Sequence, residues 1–245
     1  MIIGQKEIFI KETGSTNQYA KELLSNTKPF EGTAIFTDNQ TLGRGQNGNV
    51  WQGNAGENLY LSVILFPHFL LIKDHYLLNK AICLSVWESI SEFCEEVKIK
   101  WPNDIYVDGK KLAGILIENS LQGSKWQSAI VGIGVNLNQK IFPENIKANS
   151  LRNILNKEID RDAFRKLLYE KLNKNYLAIR ANQADLINKQ YTKNLLGYHE
   201  KTNFVINGKT NKAVVLGVQN TGELCLEIDS KLKYFRHGEV KQMPG

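Results

Sequence analysis

Residues 37–51 read TDNQTLGRGQNGNVW, and the rest of the chain takes its meaning from them. Three glycines (Gly43, Gly45, Gly48), one arginine (Arg44) and several amide side chains share a short stretch that closes on Trp51. Glycine accepts positive φ and has no Cβ, so such a loop brings backbone N–H groups close to an anion. Arg44 adds a fixed charge with several donors in a fork that fits phosphate or carboxylate. The stretch reads as a binding loop for an anionic small molecule.

Two nucleotide fingerprints fit its letters. Residues 43–48 match G-x-G-x-x-G, but a dinucleotide fold needs a helix to start at the loop and an acidic residue about 20 positions on. The following NVWQGNAG, residues 49–56, cannot start a helix. With Val50 the match extends to the kinase pattern G-x-G-x-x-G-x-V, yet no V-A-I-K-like strand, H-R-D-like loop or D-F-G follows. Context removes both readings.

Working outward, residues 33–38 alternate as a strand that delivers the chain into the loop, and residues 8–10 form an earlier strand. Between them, Ser15 or Thr16 suits the N-cap of a helix over residues 18–24, and capping alone accounts for both hydroxyls. Beyond the loop, residues 58–66 (NLYLSVILF) read as a buried strand ended by Pro67, and residues 70–94 as a long helix. Residues 97–101 form a strand broken at Pro102-Asn103-Asp104. A hairpin through Asp108-Gly109 then returns as residues 111–118. Residues 126–138 (WQSAIVGIGVNLN) are a further strand whose glycines admit a backbone or ligand. Residues 139–159 look irregular, residues 160–180 form an amphipathic helix, and residues 184–191 another helix. From about residue 202 the texture changes to short strands joined by turns such as Asn207-Gly208 and Asp229-Ser230. The expected fold class is α+β: a mixed sheet with helices packed on one side in residues 1–198, and a small β-barrel-like module in residues 199–245.

A second cluster carries chemistry. Pro102 stops a strand after Lys100-Trp101, leaving Asn103 and Asp104 at a bend, and Lys110-Lys111-Leu112-Ala113-Gly114 follows on the return strand. A hairpin lysine is ordinarily solvated. Beside an anion loop in the same sheet, Lys111 becomes a charge stabiliser for phosphoryl or acyl-adenylate chemistry, with Gly114 letting a ligand lie against the backbone.

Bulk properties narrow the classes. The chain is 42% apolar and 23% charged, with no run of 18 apolar residues, so no membrane span is expected. No basic segment followed by an apolar one marks a secretory signal at the N-terminus. Cys83, Cys94 and Cys225 are far apart, and His68, His75, His199 and His237 are scattered, which argues against a disulfide framework or a protein-only metal site. A reducing cytoplasm is the default location. Residues 1–150 hold 14 Lys+Arg against 15 Asp+Glu, so the net charge of +6 lies in residues 151–245, which carry +7. That surplus is a solvated lysine face or a surface that steers an acidic partner.

Together these residues resemble biotin–protein ligases. The resemblance rests on Ser15-Thr16-Asn17, Gln40-Thr41-Leu42-Gly43-Arg44-Gly45, Trp51, Lys100-Trp101-Pro102-Asn103-Asp104, Lys111-Leu112-Ala113-Gly114-Ile115-Leu116-Ile117-Glu118 and Gly132-Ile133-Gly134-Val135-Asn136-Leu137-Asn138, in the family's order and spacing. It implies a catalytic domain of that fold with a C-terminal SH3-like module, and a two-step reaction. Biotin and Mg·ATP give biotinyl-5′-AMP and pyrophosphate; a lysine of a biotin carboxyl carrier domain then takes the biotin and AMP leaves. By resemblance, Lys111, Arg44 and Asp104 are catalytic, Asp104 as acceptor or orienter of the carrier lysine proton. Ser15, Thr16, Asn17, Gln40, Gly43, Arg44, Gly45, Gln46, Trp51, Lys111, Gly114 and Gly134 bind biotin. Arg44, Asn49, Trp51, Asn103, Lys111 and Asn136 bind the nucleotide, and Mg²⁺ comes with ATP rather than on a protein-only site.

Two departures stand out. The fuller family loop reads G-R-G-R-x-G-R-x-W, whereas Gln46 and Asn49 stand at its second and third arginines. The chain also begins a few residues before its first strand, so the winged helix-turn-helix of repressor relatives is not expected, nor DNA binding. The resemblance implies monomers or homodimers. A lipoate or octanoate ligase of the same fold is the nearest alternative, and a basic nucleic-acid-binding module the more distant one.

Overall fold

The computed structural model describes residues 1–123 and 125–243; the last two residues of the expected C-terminal module lie outside the described residues. Strands β1 (Glu7–Thr13), β2 (Ala34–Gln40), β3 (Leu59–Leu65), β4 (Val97–Lys100), β5 (Asp104–Val107), β6 (Lys110–Gln122) and β7 (Lys125–Val135) form one sheet in the order β1-β2-β3-β7-β6-β5-β4. Only β1 and β2 are parallel neighbours; the remaining pairs are antiparallel.

Period-2 alternation assigns the two faces of this sheet. In β7, Val131, Ile133 and Val135 enter the main core, so Gly132 and Gly134 look the other way. In β6, Ala113 and Ile115 enter the same core and Gly114 faces away, directly opposite Gly134 in the register. Helices α2 (Tyr76–Ser91) and α4 (Arg161–Arg180) cover the core face, with α5 (Ala184–Lys193) beside them. Helix α1 (Thr16–Asn26) is the exception to a one-sided helical layer. It is the crossover between parallel β1 and β2, and its Ala20 packs on Ile35, Ile64 and Ile130 of the opposite face.

Other boundaries moved for local reasons. The helix expected from residue 70 starts at Tyr76, because Leu71 is extended and Ile72–Asp74 make a separate 3-10 turn. The stretch read as irregular holds a short helix α3 (Leu151–Leu155), whose N-cap Ser150 hydroxyl accepts from Asn153 N–H. Strands β8 (Lys201–Ile206), β9 (Lys209–Val218), β10 (Leu224–Ile228), β11 (Lys231–Phe235) and β12 (Val240–Gln242) form a second sheet in the order β11-β10-β9-β8-β12. This sheet stays open where a barrel-like module was expected, since among the described residues its edge strands β11 and β12 do not pair with each other. It is held to the catalytic unit by Trp101 Nε1 at the β4–β5 bend, which donates to Gly222 O (3.0 Å), and by Tyr76 N–H of α2, which donates to Asn220 O (3.3 Å). Among the described residues no helix is long and apolar enough to cross a membrane.

Candidate functional site

The glycine face of the sheet carries a cavity of about 260 Å³. Its floor follows from the V-G-I-G-V alternation of residues 131–135, which sends branched side chains to the core and leaves bare backbone toward the ligand side. A Cβ at Gly132 would lie 2.5 Å from Asn17 Oδ1, and one at Gly134 would lie 2.4 Å from the Trp51 ring.

One end of the cavity is a wired polar group. Gln40 Oε1 accepts from Thr16 N–H (2.9 Å) and from the Thr16 hydroxyl (3.1 Å). Buried Ser62 Oγ lies 2.7 Å from Thr16 Oγ1 and 2.6 Å from Asn17 Oδ1, and Asn17 Nδ2 donates to Glu118 Oε2 at 2.7 Å. Ser15 occupies the N-cap of α1 but makes no side-chain capping bond, so capping does not explain it; it lines the cavity instead. Thr16, Asn17 and Ser62 are buried, Gln40 is half-buried, and their side chains are fixed by one another, the condition for reading a polar ligand by hydrogen bonds.

The loop closes over this end as a small hairpin, with Trp51 N–H donating to Gly43 O (3.0 Å) and Gly45 N–H to Asn49 O (2.7 Å). Its glycines divide the work. A Cβ at Gly43 would sit 2.3 Å from Trp51 O, so this glycine serves the loop's own closure, and it lines the outer groove rather than the main cavity. Gly48 takes φ +77. Gly45, Arg44, Gln46, Asn49 and Trp51 line the main cavity. Gln46 Oε1 and Trp51 Nε1 are buried there without a hydrogen-bond partner among the described residues. Such atoms are costly unless a ligand satisfies them.

Cations gather at the other end. Lys111 Nζ pairs with Asp104 Oδ1 at 2.7 Å and lies 5.3 Å from the Trp51 ring centroid. Lys100, packed over Tyr106, is half-buried; burial lowers its pKa, Asp104 opposes that, and Lys111, Lys241 and Lys147 add to it. Asp104 is the carboxylate among these amines, so an anion in the cavity relieves their mutual repulsion.

Two predicted nucleotide ligands turn out to hold backbone. Asn103 Nδ2 donates to Ile115 O and Ile115 N–H returns to Asn103 O, locking the bend to β6, although Asn103 still lines the cavity. Asn136 Nδ2 reaches Asn149 O (3.1 Å) and Lys111 O (3.4 Å), and its side chain faces a second cavity of about 680 Å³. Trp51, Lys111, Gln40 and Val50 belong to both cavities and form the partition. Apolar Ile141, Phe142, Pro143 and Ile146 rim the second one, with Ile141 82% exposed.

Sequence reasoning missed this rim and the C-terminal contribution. Four apolar residues in a polar connection were the available signal for the rim. His237, Val240, Lys241 and Gln242 line the main cavity from the β11–β12 turn and β12, with His237 edge-on to Trp101 at 5.8 Å. Nothing local in the sequence links them to a loop so far upstream.

Residues 9–136 match the family model described as the biotin/lipoate A/B protein ligase family. The chain is 33% identical to the bifunctional ligase/repressor BirA of Bacillus subtilis over 98% of its length and 75% of that protein. It is 25% identical to the biotin–[acetyl-CoA-carboxylase] ligase of Mycobacterium tuberculosis, covering 94% of this chain and 86% of the other. Among solved structures it is similar to the biotin protein ligase from Aquifex aeolicus in complex with biotin and ATP. There the TM-score is 0.81 and the identity 27%, over 98% of this chain and 100% of that one.

Proposed function

The chain belongs to the biotin/lipoate A/B protein ligase family, and from that premise we infer that it is an ATP-dependent biotin–protein ligase. It activates biotin as biotinyl-5′-AMP with release of pyrophosphate, then passes biotin to a lysine amine. The observation that carries this reading is the shared wall of the two cavities. A carboxylate in the first and a nucleotide in the second meet at Lys111, beneath Trp51.

In this reading Ser15, Thr16, Asn17 and Gln40 receive the ureido ring, whose donors and acceptors complete the polar network. A lipoyl dithiolane offers no such donors, which leaves those buried groups unpaired and disfavours lipoate. The valerate chain lies on Gly132, Gly134 and Gly114. Arg44 and Lys111 hold the carboxylate against the α-phosphate and stabilise the charge that develops there. The adenine takes the apolar rim of Ile141, Phe142 and Ile146 in the second cavity, and the triphosphate crosses the partition at Lys111, so that its outer phosphates face Lys100 and Lys241 on the wall of the first. Among the described residues no three metal-ligating side chains cluster, so Mg²⁺ would ride on the phosphates, where hard cations prefer oxygen ligands.

For the second step, Asp104 is the base or orienter of the incoming amine, reached once Lys111 turns from it to the phosphate. The proposed acceptor is a biotin carboxyl carrier domain, drawn by the basic C-terminal third. A cytoplasmic location completes the proposal; the three free thiols fit a reducing compartment. Calorimetric titration tests the substrate choice: micromolar or tighter biotin binding with none for lipoate supports it, and the reverse order refutes it.

A further inference from the structure

Lys80 is a buried amine that this chemistry leaves unused. It lies in α2 with 1% of its surface exposed, far enough inside that it lines neither cavity. Its Nζ donates to Asn188 Oδ1 of α5 (2.8 Å) and to Val218 O at the end of β9 (2.7 Å). The Tyr191 ring of α5 sits 5.9 Å away. The titratable groups around it are Tyr191 and, on its own helix, Tyr76 and Cys83, all pushed upward by burial and therefore neutral; β9 meets it through the Val218 carbonyl. Burial also lowers Lys80 itself, to about 8.

A buried amine without a carboxylate is costly, and a methionine of similar length would fill the space more cheaply. What it does here is join three elements, and the third belongs to the C-terminal sheet. Beyond Val218 the chain turns through Asn220 and Gly222, whose carbonyls take Tyr76 N–H and Trp101 Nε1, and the same sheet then presents His237 and Lys241 to the cavity. The C-terminal sheet therefore reaches the site only as accurately as it is docked.

We propose that Lys80 is a positioning residue for the nucleotide half-reaction: its hydrogen bonds to Val218 O and Asn188 Oδ1 tie the C-terminal sheet and α5 to α2, the helix packed on the catalytic sheet, and so hold Lys241 at the cavity wall. This rests on the ligase reading above. The test uses the full chain, measuring biotin-dependent ATP–pyrophosphate exchange, biotin binding and thermal unfolding for wild type, Lys80→Met, Lys241→Ala and the double variant. Lys80→Met should raise KM for ATP about tenfold, the weight of a charged hydrogen bond, while biotin affinity and kcat stay within roughly twofold. In the Lys241→Ala background that effect should shrink to under roughly twofold, because coupled sites are not additive. An unmoved ATP KM, an equal loss of biotin affinity, or full additivity with Lys241→Ala overturns the proposal. Should Lys80→Met not fold, Asn188→Ala carries the test, with about a threefold rise expected and no rise overturning it. Absence of exchange in wild type would instead sink the ligase reading, which keeps the two failures apart.

Discussion

Replacing Gly134 by alanine separates a ligand floor from an ordinary strand position. An alanine Cβ would stand 2.4 Å from Trp51 Cε2, 2.6 Å from Cζ2 and 2.7 Å from Nε1, where ordinary contact begins near 3.4 Å. The indole must therefore retreat by about 1 Å, and overpacking of this size costs about 1–3 kcal/mol. Trp51 sits on a surface loop that can yield, so the empty protein avoids much of that cost. Alanine also favours an extended strand over glycine by roughly 0.5–1 kcal/mol, and Gly134 is not at a positive φ. Unfolding of the free protein should thus be unchanged or slightly later. Biotin must lie between this floor and the Trp51 cover, so the cost reappears on binding, and its Kd should rise about 5- to 150-fold. Calorimetric titration and a thermal melt measure the two effects on one preparation. An unchanged biotin Kd would refute the floor, and a large loss of thermal stability with unchanged binding would mean that the glycine serves folding alone.

Three further outcomes are expected. Gln46→Arg adds a second positive charge beside Arg44 and should slow dissociation of biotinyl-AMP by about 5- to 150-fold, equivalent to about 1–3 kcal/mol; a rate equal to wild type in a chase experiment contradicts this. Gln40→Leu leaves Thr16 N–H and hydroxyl without their acceptor and should weaken biotin binding at least about tenfold, while retained affinity in titration would remove this end of the cavity from ureido recognition. Lys80 has a native pKa lowered from 10.5 to about 8, so between those values the unfolded chain holds more protons on this amine than the native one. Wild-type stability should therefore rise relative to Lys80→Met as pH climbs through that window, a trend that denaturant unfolding at pH values across it either shows or fails to show.

Much of this was legible because strong local rules agreed. The run LYLSVIL can only be a buried strand, and the hairpin at Asp108-Gly109 sets β5 against β6. The IVGIGV stretch showed both its glycine-lined face and its strand, and the loop's lone Arg44 marked an anion site. What stayed hidden was tertiary. Whether Ser15 caps a helix or faces a cavity depends on where β2 places Gln40, and sequence spacing does not encode that. Asn103 and Asn136 look like ligands in a motif, yet their amides hold the β4–β5 bend and the connection before α3. Gly43 serves the backbone approach to Trp51. His237 and Lys241 come from a different sheet, and their place at the cavity follows from how that sheet docks.

Lys111 is the proposed meeting point of carboxylate and phosphate, lining both cavities. The direct measurement is exchange of labelled pyrophosphate into ATP, with and without biotin, for wild type and Lys111→Ala. The prediction is exchange that requires biotin in wild type and falls by about 10²–10³ in the variant, the scale of losing one positioned charge at a developing anion. Exchange that ignores biotin, responds equally to lipoate, or survives Lys111→Ala unchanged would contradict it.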